Sequence, residues 1–127
     1  MELIFKDLSE KIIKAAFKVY NTLGYGYQEK EYQKAFALEL KASGLVFTQE
    51  LYSDLFYEGV KIRGFFVDFL VEDGGKKIVV EIKVASRPHQ RNFYQVFQYL
   101  KNYNLSLGLI IVFSPAGVII KRVVNLK

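Results

Sequence analysis

The sequence predicts an α/β fold, a mixed β-sheet flanked by helices in the order α-α-β-β-β-α-β-β. Three observations carry this. Apolar residues recur at helical spacing as far as Ala42, and again after Pro88. Two β-rich runs flank Asp73-Gly74-Gly75-Lys76. A Gly-Gly pair between such runs is a two-residue hairpin loop, because glycine takes positive φ at no steric cost. A continuous apolar run from Leu105 to Phe113 has the length of a buried strand, and the turn Ser114-Pro115-Ala116-Gly117 follows it. One domain is expected over residues 1–127.

The elements follow in order. Asp7-Leu8-Ser9-Glu10 has the pattern of a capping box, and Leu8, Ile12, Ala15, Ala16, Val19 and Leu23 then recur on one helical face. This helix should end between Asn21 and Gly24 and serve as core packing. A second helix is expected from Gln28 to Ala42, with Glu29, Tyr32, Phe36 and Leu40 on one face and Gly44 as its C′ residue. Glu29 is thus an acid at the head of a buried stripe. The plainer account is an acid favoured by the helix dipole, but Glu31 serves that purpose equally well and faces elsewhere. A strand from Val46 to Glu58 turns at Glu58-Gly59 into a second, which bends at Gly64 and runs to Val71. Pro88 suits the first turn of a helix ending near Tyr103. Phe93, Val96, Phe97 and Leu100 form its apolar stripe; Asn92, Gln95 and Tyr99 form a polar stripe beside it. The last strand spans Val118 to Leu126, with at least one cation of the Lys121-Arg122 pair outward.

Composition narrows the function. Half of the residues (51%) are hydrophobic, with 9 Tyr and 11 Phe, which excludes a disordered chain. There is no cysteine, so no disulfide framework or thiolate metal site, and the single His89 argues against a histidine zinc site. Nucleophilic triads and Gly-rich phosphate loops lack their residues. The start of the chain has no basic and apolar leader pattern, and no run is long enough to span a bilayer, so a cytoplasmic protein without membrane contact is expected. The net charge of +5 is unevenly spread. Residues 1–75 hold nine basic and twelve acidic residues, net −3; residues 76–127 hold nine basic and one acidic, net +8. The one acid is Glu81. Such asymmetry suggests a surface facing a polyanion, or more plainly a solubilising basic face.

The Gly74-Gly75 loop sets a register. Asp73 pairs with Lys76, Glu72 with Lys77, and Asp68 falls opposite Glu81. By the two-residue period, Phe65, Val67, Phe69 and Val71 face the core with Val84, Ile82, Val80 and Ile78. Asp68, Glu81 and Lys83 share the other, half-apolar face. Carboxylates directly opposite each other have Cβ atoms about 5 Å apart, and repel by roughly 3 kcal/mol at an effective dielectric of about 20. A shared proton, a cationic side chain or a bound metal ion must offset this. Two acids and a lysine suit a hard, oxygen-liganded cation such as Mg²⁺, which polarises a phosphoryl oxygen and activates water.

The sequence resembles the PD-(D/E)XK nuclease superfamily. Asp68 followed by Glu81-Ile82-Lys83 matches its D…ExK signature on adjacent strands, although Val67 stands where the superfamily name has Pro. Gln95-Val96-Phe97-Gln98-Tyr99 is similar to the QxxxY motif of an exonuclease-like branch. Gly26-Tyr27-Gln28-Glu29-Lys30-Glu31-Tyr32 resembles the GxxExxY motif that names a small family within the superfamily. The resemblance implies a restriction-endonuclease-like core and a nuclease that hydrolyses phosphodiester bonds, expected to act on DNA. It implies that Asp68, Glu81 and the Ile82 carbonyl bind Mg²⁺ or Mn²⁺ and that Lys83 is the catalytic lysine. Glu29 reaches the site from its helix, and Gln95 orients substrate or a ligand-bound water. Tyr99, Arg87, Arg91, Lys121 and Arg122 are the expected contacts to nucleic acid, and a homodimer is the expected assembly. Two rivals remain at this level: a non-catalytic nucleic-acid-binding or assembly module on the same fold, and a structural protein whose acids form ion pairs with Lys83 and Arg87.

Overall fold

The eight elements occur in the expected order: α1 (Lys6–Leu23), α2 (Glu29–Ala42), β1 (Val46–Tyr57), β2 (Val60–Asp73), β3 (Lys76–Val84), α3 (Gln90–Tyr103), β4 (Leu107–Ser114) and β5 (Gly117–Val124). The computed structural model describes residues 4–126; the first three residues of the stretch read for a leader lie outside the described residues. The strands form one sheet in the order β1-β2-β3-β4-β5. All neighbours are antiparallel except β3 and β4. A parallel pair needs a long crossover, and α3 supplies it. No helix of the described residues is long and apolar enough to cross a membrane.

Two cores sandwich the sheet. Leu8, Ile12 and Val19 of α1, with Tyr32, Phe36 and Leu40 of α2, pack on Phe69, Val71, Ile78, Val80 and Ile82. On the opposite face, Val96, Tyr99 and Leu100 of α3 pack on Val79, Ile110, Val112 and Val123. Every residue of β4 is buried, because this central strand has helices over both faces.

Three expected details differ. The helix α1 starts at Lys6, ahead of the expected capping box, with Phe5 in the left-handed region and no side-chain cap. Ser9 is buried and donates to the Lys6 carbonyl at 2.9 Å. Arg122 fixes this end, donating to the Ile4 carbonyl at 2.7 Å and to Ser9 Oγ at 3.3 Å. The helix α3 starts at Gln90 instead of Pro88; His89 caps it, its Nδ1 accepting the Arg91 N–H at 3.1 Å. The third difference lies in the sheet. Phe47, Phe69 and Val71 pack in the α1–α2 core, but Leu51, Phe65 and Val67 pack in the α3 core. The alternation therefore reverses at one point on both strands. That point is Glu50, at φ 54°, and Asp68 across from it. Phe65 and Val67 do not share a core with Phe69 and Val71, as strict alternation would require.

Candidate active site

The register of the β2–β3 hairpin is as the Gly-Gly loop dictates, from Asp73 opposite Lys76 to Phe69 opposite Val80. The ladder then stops. The expected pairs Val67–Ile82 and Phe65–Val84 are not formed. Where Asp68 and Glu81 would make the next rung, their side chains take over the hydrogen bonding. The Asp68 N–H donates to Glu81 Oε1 at 3.0 Å. The Ile82 N–H donates to Asp68 Oδ2 at 2.7 Å. The two carboxylates thus lie in the gap between the strands, and do not stand side by side on one face. In a strand, N–H and C=O of one residue point to the same neighbour, so the Ile82 carbonyl also faces this gap.

Glu81 is only 1% exposed. Its Oε2 lies 3.5 Å from Lys83 Nζ and 3.3 Å from Gln95 Nε2. Gln95, from α3, donates in addition to the Phe66 carbonyl at 2.7 Å, and so ties α3 to β2 beside Asp68. From the other layer, Glu29 places Oε2 3.6 Å from Lys83 Nζ. The capping role belongs to Glu31, whose Oε1 accepts the Gln28 N–H at 2.8 Å. This leaves Glu29 free to hold the lysine. Sequence reasoning passed over Gln33, one turn after Glu29, which acts to lower the Asp68 carboxyl against its burial. The signal available was its i+4 spacing from Glu29.

The electrostatics follow from burial. Desolvation raises the Glu81 carboxyl, and the Asp68 charge adds to it, to about 8. Desolvation also raises Asp68, against the Ile82 N–H and the Lys83 charge. Burial by itself would lower Lys83, but Glu81, Glu29 and Asp68 together raise it, so the ammonium stays charged. Burial and mutual repulsion thus oppose full ionisation of the pair in the absence of a further cation.

The remaining expected residues divide. Arg87 and Arg91 are exposed, in the bend after β3 and at the head of α3. Lys121 is exposed and lies in register with Ile110, which is in register with Glu81, two strands and so about 10 Å away across the sheet. Tyr99 is not on a polar stripe. It is 4% exposed, packs in the α3 core and stacks on Tyr103, with its hydroxyl raised by burial, so it does not present a phosphate contact. Arg122 is not a free cation either, because its guanidinium is engaged at the start of α1.

Residues 6–123 match the family model of the PD-(D/E)XK nuclease superfamily. The chain belongs to that superfamily. The fold of this PD-(D/E)XK protein is similar to the crystal structure of SSO0001, with a TM-score of 0.52 and 16% identity over 95% of this chain and 79% of that one. It is similar also to Hjc of Archaeoglobus fulgidus, a Holliday junction resolvase from an archaeal hyperthermophile, with a TM-score of 0.51 and 12% identity over 74% of this chain and 76% of that one. At such identities the likeness is one of fold, the restriction-endonuclease-like core. No curated protein sequence matches the chain.

In the PD-(D/E)XK frame, Asp68 and Glu81-Ile82-Lys83 are the signature residues. Among the described residues, no third His, Cys, Asp or Glu joins the two acids in a metal-binding cluster, since Glu29 engages the lysine. Two carboxylates and one carbonyl are hard oxygen donors. A buried acid pair whose full ionisation is opposed is a site that a divalent cation would relieve. The donor set therefore fits Mg²⁺ or Mn²⁺, which bind through one or two carboxylates and fill their remaining positions with water and phosphate.

Proposed function

We propose that this protein is a metal-dependent nuclease that hydrolyses phosphodiester bonds of DNA, with water as the nucleophile. The observation that supports it best is the gap between β2 and β3, where Asp68, Glu81 and Lys83 meet and two acids are buried together. Asp68, Glu81 and the Ile82 carbonyl would hold Mg²⁺ or Mn²⁺. When bound, the ion supplies a Lewis acid to the phosphoryl oxygen and makes water acidic enough to attack. Lys83 Nζ, kept protonated by its acidic neighbours, would balance the negative charge on the phosphate or on the attacking water once that water has given its proton to solvent. Glu29 holds that ammonium in place. Gln95 fixes Glu81 Oε2 and leaves α3 oriented towards the substrate.

The finer assignments rest on motif and surface. Gly26, Glu29 and Tyr32 support membership of the GxxExxY family. Lys121, Arg87 and Arg91 are the proposed phosphate contacts, and a homodimer is the proposed assembly. The test is cleavage of linear, branched and single-stranded DNA and RNA with Mg²⁺ and Mn²⁺, by wild type, Glu81→Gln and Lys83→Ala. Metal-dependent cutting lost in both variants supports the nuclease. Binding of nucleic acid without cutting of any substrate would favour the non-catalytic module. A purely structural ion pair predicts neither.

A further inference from the structure

We propose that the face of the β1–β2 hairpin left uncovered by α1 and α2 stacks unpaired nucleobases, so that the substrate carries single-stranded nucleotides beside the bond that is cut. The inference takes its ligand class from the nuclease reading and narrows it.

Because the alternation reverses at Asp68, Val67 and Phe65 turn under α3 and Phe66 between them turns the opposite way. Phe66 is 57% exposed and Tyr52, its partner across β1–β2, is 45% exposed. Their rings are 5.2 Å apart and nearly perpendicular. Both are held. The Tyr52 ring lies over Gly64, where any Cβ would collide with its hydroxyl. That hydroxyl accepts a hydrogen bond from Lys61 Nζ at 2.7 Å, and the ammonium sits 5.3 Å from the ring centroid. Lys61 is anchored in turn by Asp54 at 3.2 Å. The Phe66 backbone is fixed by Gln95.

Covering a glycine accounts for Tyr52 within the fold. Among the described residues, no core cluster includes Phe66, a half-exposed ring two residues from Asp68. On the same side of the sheet, Lys34 and Lys41 of α2 line a groove of about 290 Å³ with Phe47 and Gln49. An exposed aromatic pair with Lys61 thus lies on β1–β2 close to Asp68, and two further lysines lie on the same side of the sheet. This suits a polyanion whose bases are free to stack, with Lys34 and Lys41 available to its phosphates. A duplex hides its base faces, so stacking platforms bind unpaired strands. The Tyr52 ring, already held by Lys61 and seated over Gly64, loses little freedom on binding.

The test uses 5′-fluorescein-labelled dT20 and a 20-base-pair duplex, both with EDTA so that nothing is cut. The wild type, Phe66→Ala and Phe66→Trp are compared by anisotropy, after melting curves show that all three fold alike. Phe66→Ala should weaken dT20 binding about tenfold or more and leave the duplex within about twofold. Phe66→Trp should restore binding. The sequence has no tryptophan, so this variant also reports directly: its emission should be quenched by dT20 and not by the duplex. Unchanged dT20 binding in Phe66→Ala, an equal loss for both ligands, or unquenched emission overturns the proposal. So does a loss of self-association in Phe66→Ala without a loss of dT20 binding, which would make the patch a contact between copies. The two readings fail separately. Cleavage of the duplex by wild type with no Phe66 effect on dT20 ends the stacking proposal alone. Ring-dependent dT20 binding without metal-dependent cleavage of any substrate ends the nuclease reading alone.

Discussion

The Glu81 carboxylate accepts the Asp68 N–H at 3.0 Å, and the Asp68 carboxylate accepts the N–H of Ile82, the residue after Glu81, at 2.7 Å. Two acidic side chains thus stand in for a rung of the β2–β3 ladder. Each carboxylate keeps one oxygen outside these two bonds. The amide hydrogen bonds hold both acids in position even though burial and mutual repulsion oppose their charge.

That opposition predicts the pH dependence of the metal-free protein. Burial and the Asp68 charge push the folded Glu81 carboxyl up to about 8, from an ordinary value of 4.5. Between these values the native state binds more protons than the unfolded chain, so stability falls as pH rises and levels off above the folded value. The loss should be on the order of a few kcal/mol. Melting temperatures in EDTA at pH 5.5, 7 and 8.5 should decrease in that order, and Glu81→Gln should flatten the trend. A melting temperature that rises with pH in the wild type contradicts the assignment.

Divalent cations should reverse the loss. An ion that binds only the folded state stabilises it by about 2.7 kcal/mol at a hundred times its dissociation constant. At pH 8, Mg²⁺ or Mn²⁺ should therefore raise the melting temperature of the wild type. Glu81→Gln should abolish the response and leave the metal-free protein at least as stable as wild type. A Glu81→Gln protein that melts lower at pH 8, with no metal response in the wild type, would identify a structural ion pair.

Lys83→Ala should keep the metal-induced shift and lower kcat about a hundredfold or more, the usual effect of removing one charged donor from a developing anion. Glu29→Gln should be milder, about tenfold, because Glu81 still holds the ammonium at 3.5 Å. Single-turnover rates on whichever substrate is cut decide this. Equal losses in the two variants would place Glu29 on the substrate or the ion instead.

Salt titration separates two neighbouring cations. Each phosphate contact contributes about −0.9 to the slope of log K against log salt. Lys121→Ala should reduce that slope by about one contact. Arg122→Ala should leave it unchanged and lower the melting temperature, since two hydrogen bonds at the start of α1 are lost, at about 1 kcal/mol or more each. A changed slope in Arg122→Ala would return that side chain to the binding surface.

Much of the fold was legible in the sequence because its signals are local. The 3.6-residue period located α1 and α2, and the Gly74-Gly75 loop set the register as far as Phe69 and Val80. The hairpin register and the D…ExK spacing were enough to bring Asp68, Glu81 and Lys83 together, although the shared face expected from parity was not formed. The capping of α2 by Glu31 also left Glu29 free, as the sequence allowed.

The sequence by itself determined the order of elements, the pairing next to the hairpin loop and the identity of the acids and lysine, since each depends on residues close along the chain or in direct register. Only the tertiary structure decided how those acids are held. The alternation reverses on β1 and β2 at the same level, at left-handed Glu50 and at Asp68, and no period within β2 reports what its neighbour does. Tyr99 is buried because the β-sheet lies under that edge of α3. Arg122 is engaged because the chain returns to place Ile4, 118 residues away, beside it. Such facts depend on which surfaces meet after folding. A local pattern can name the face a residue occupies, but it does not fix what covers that face.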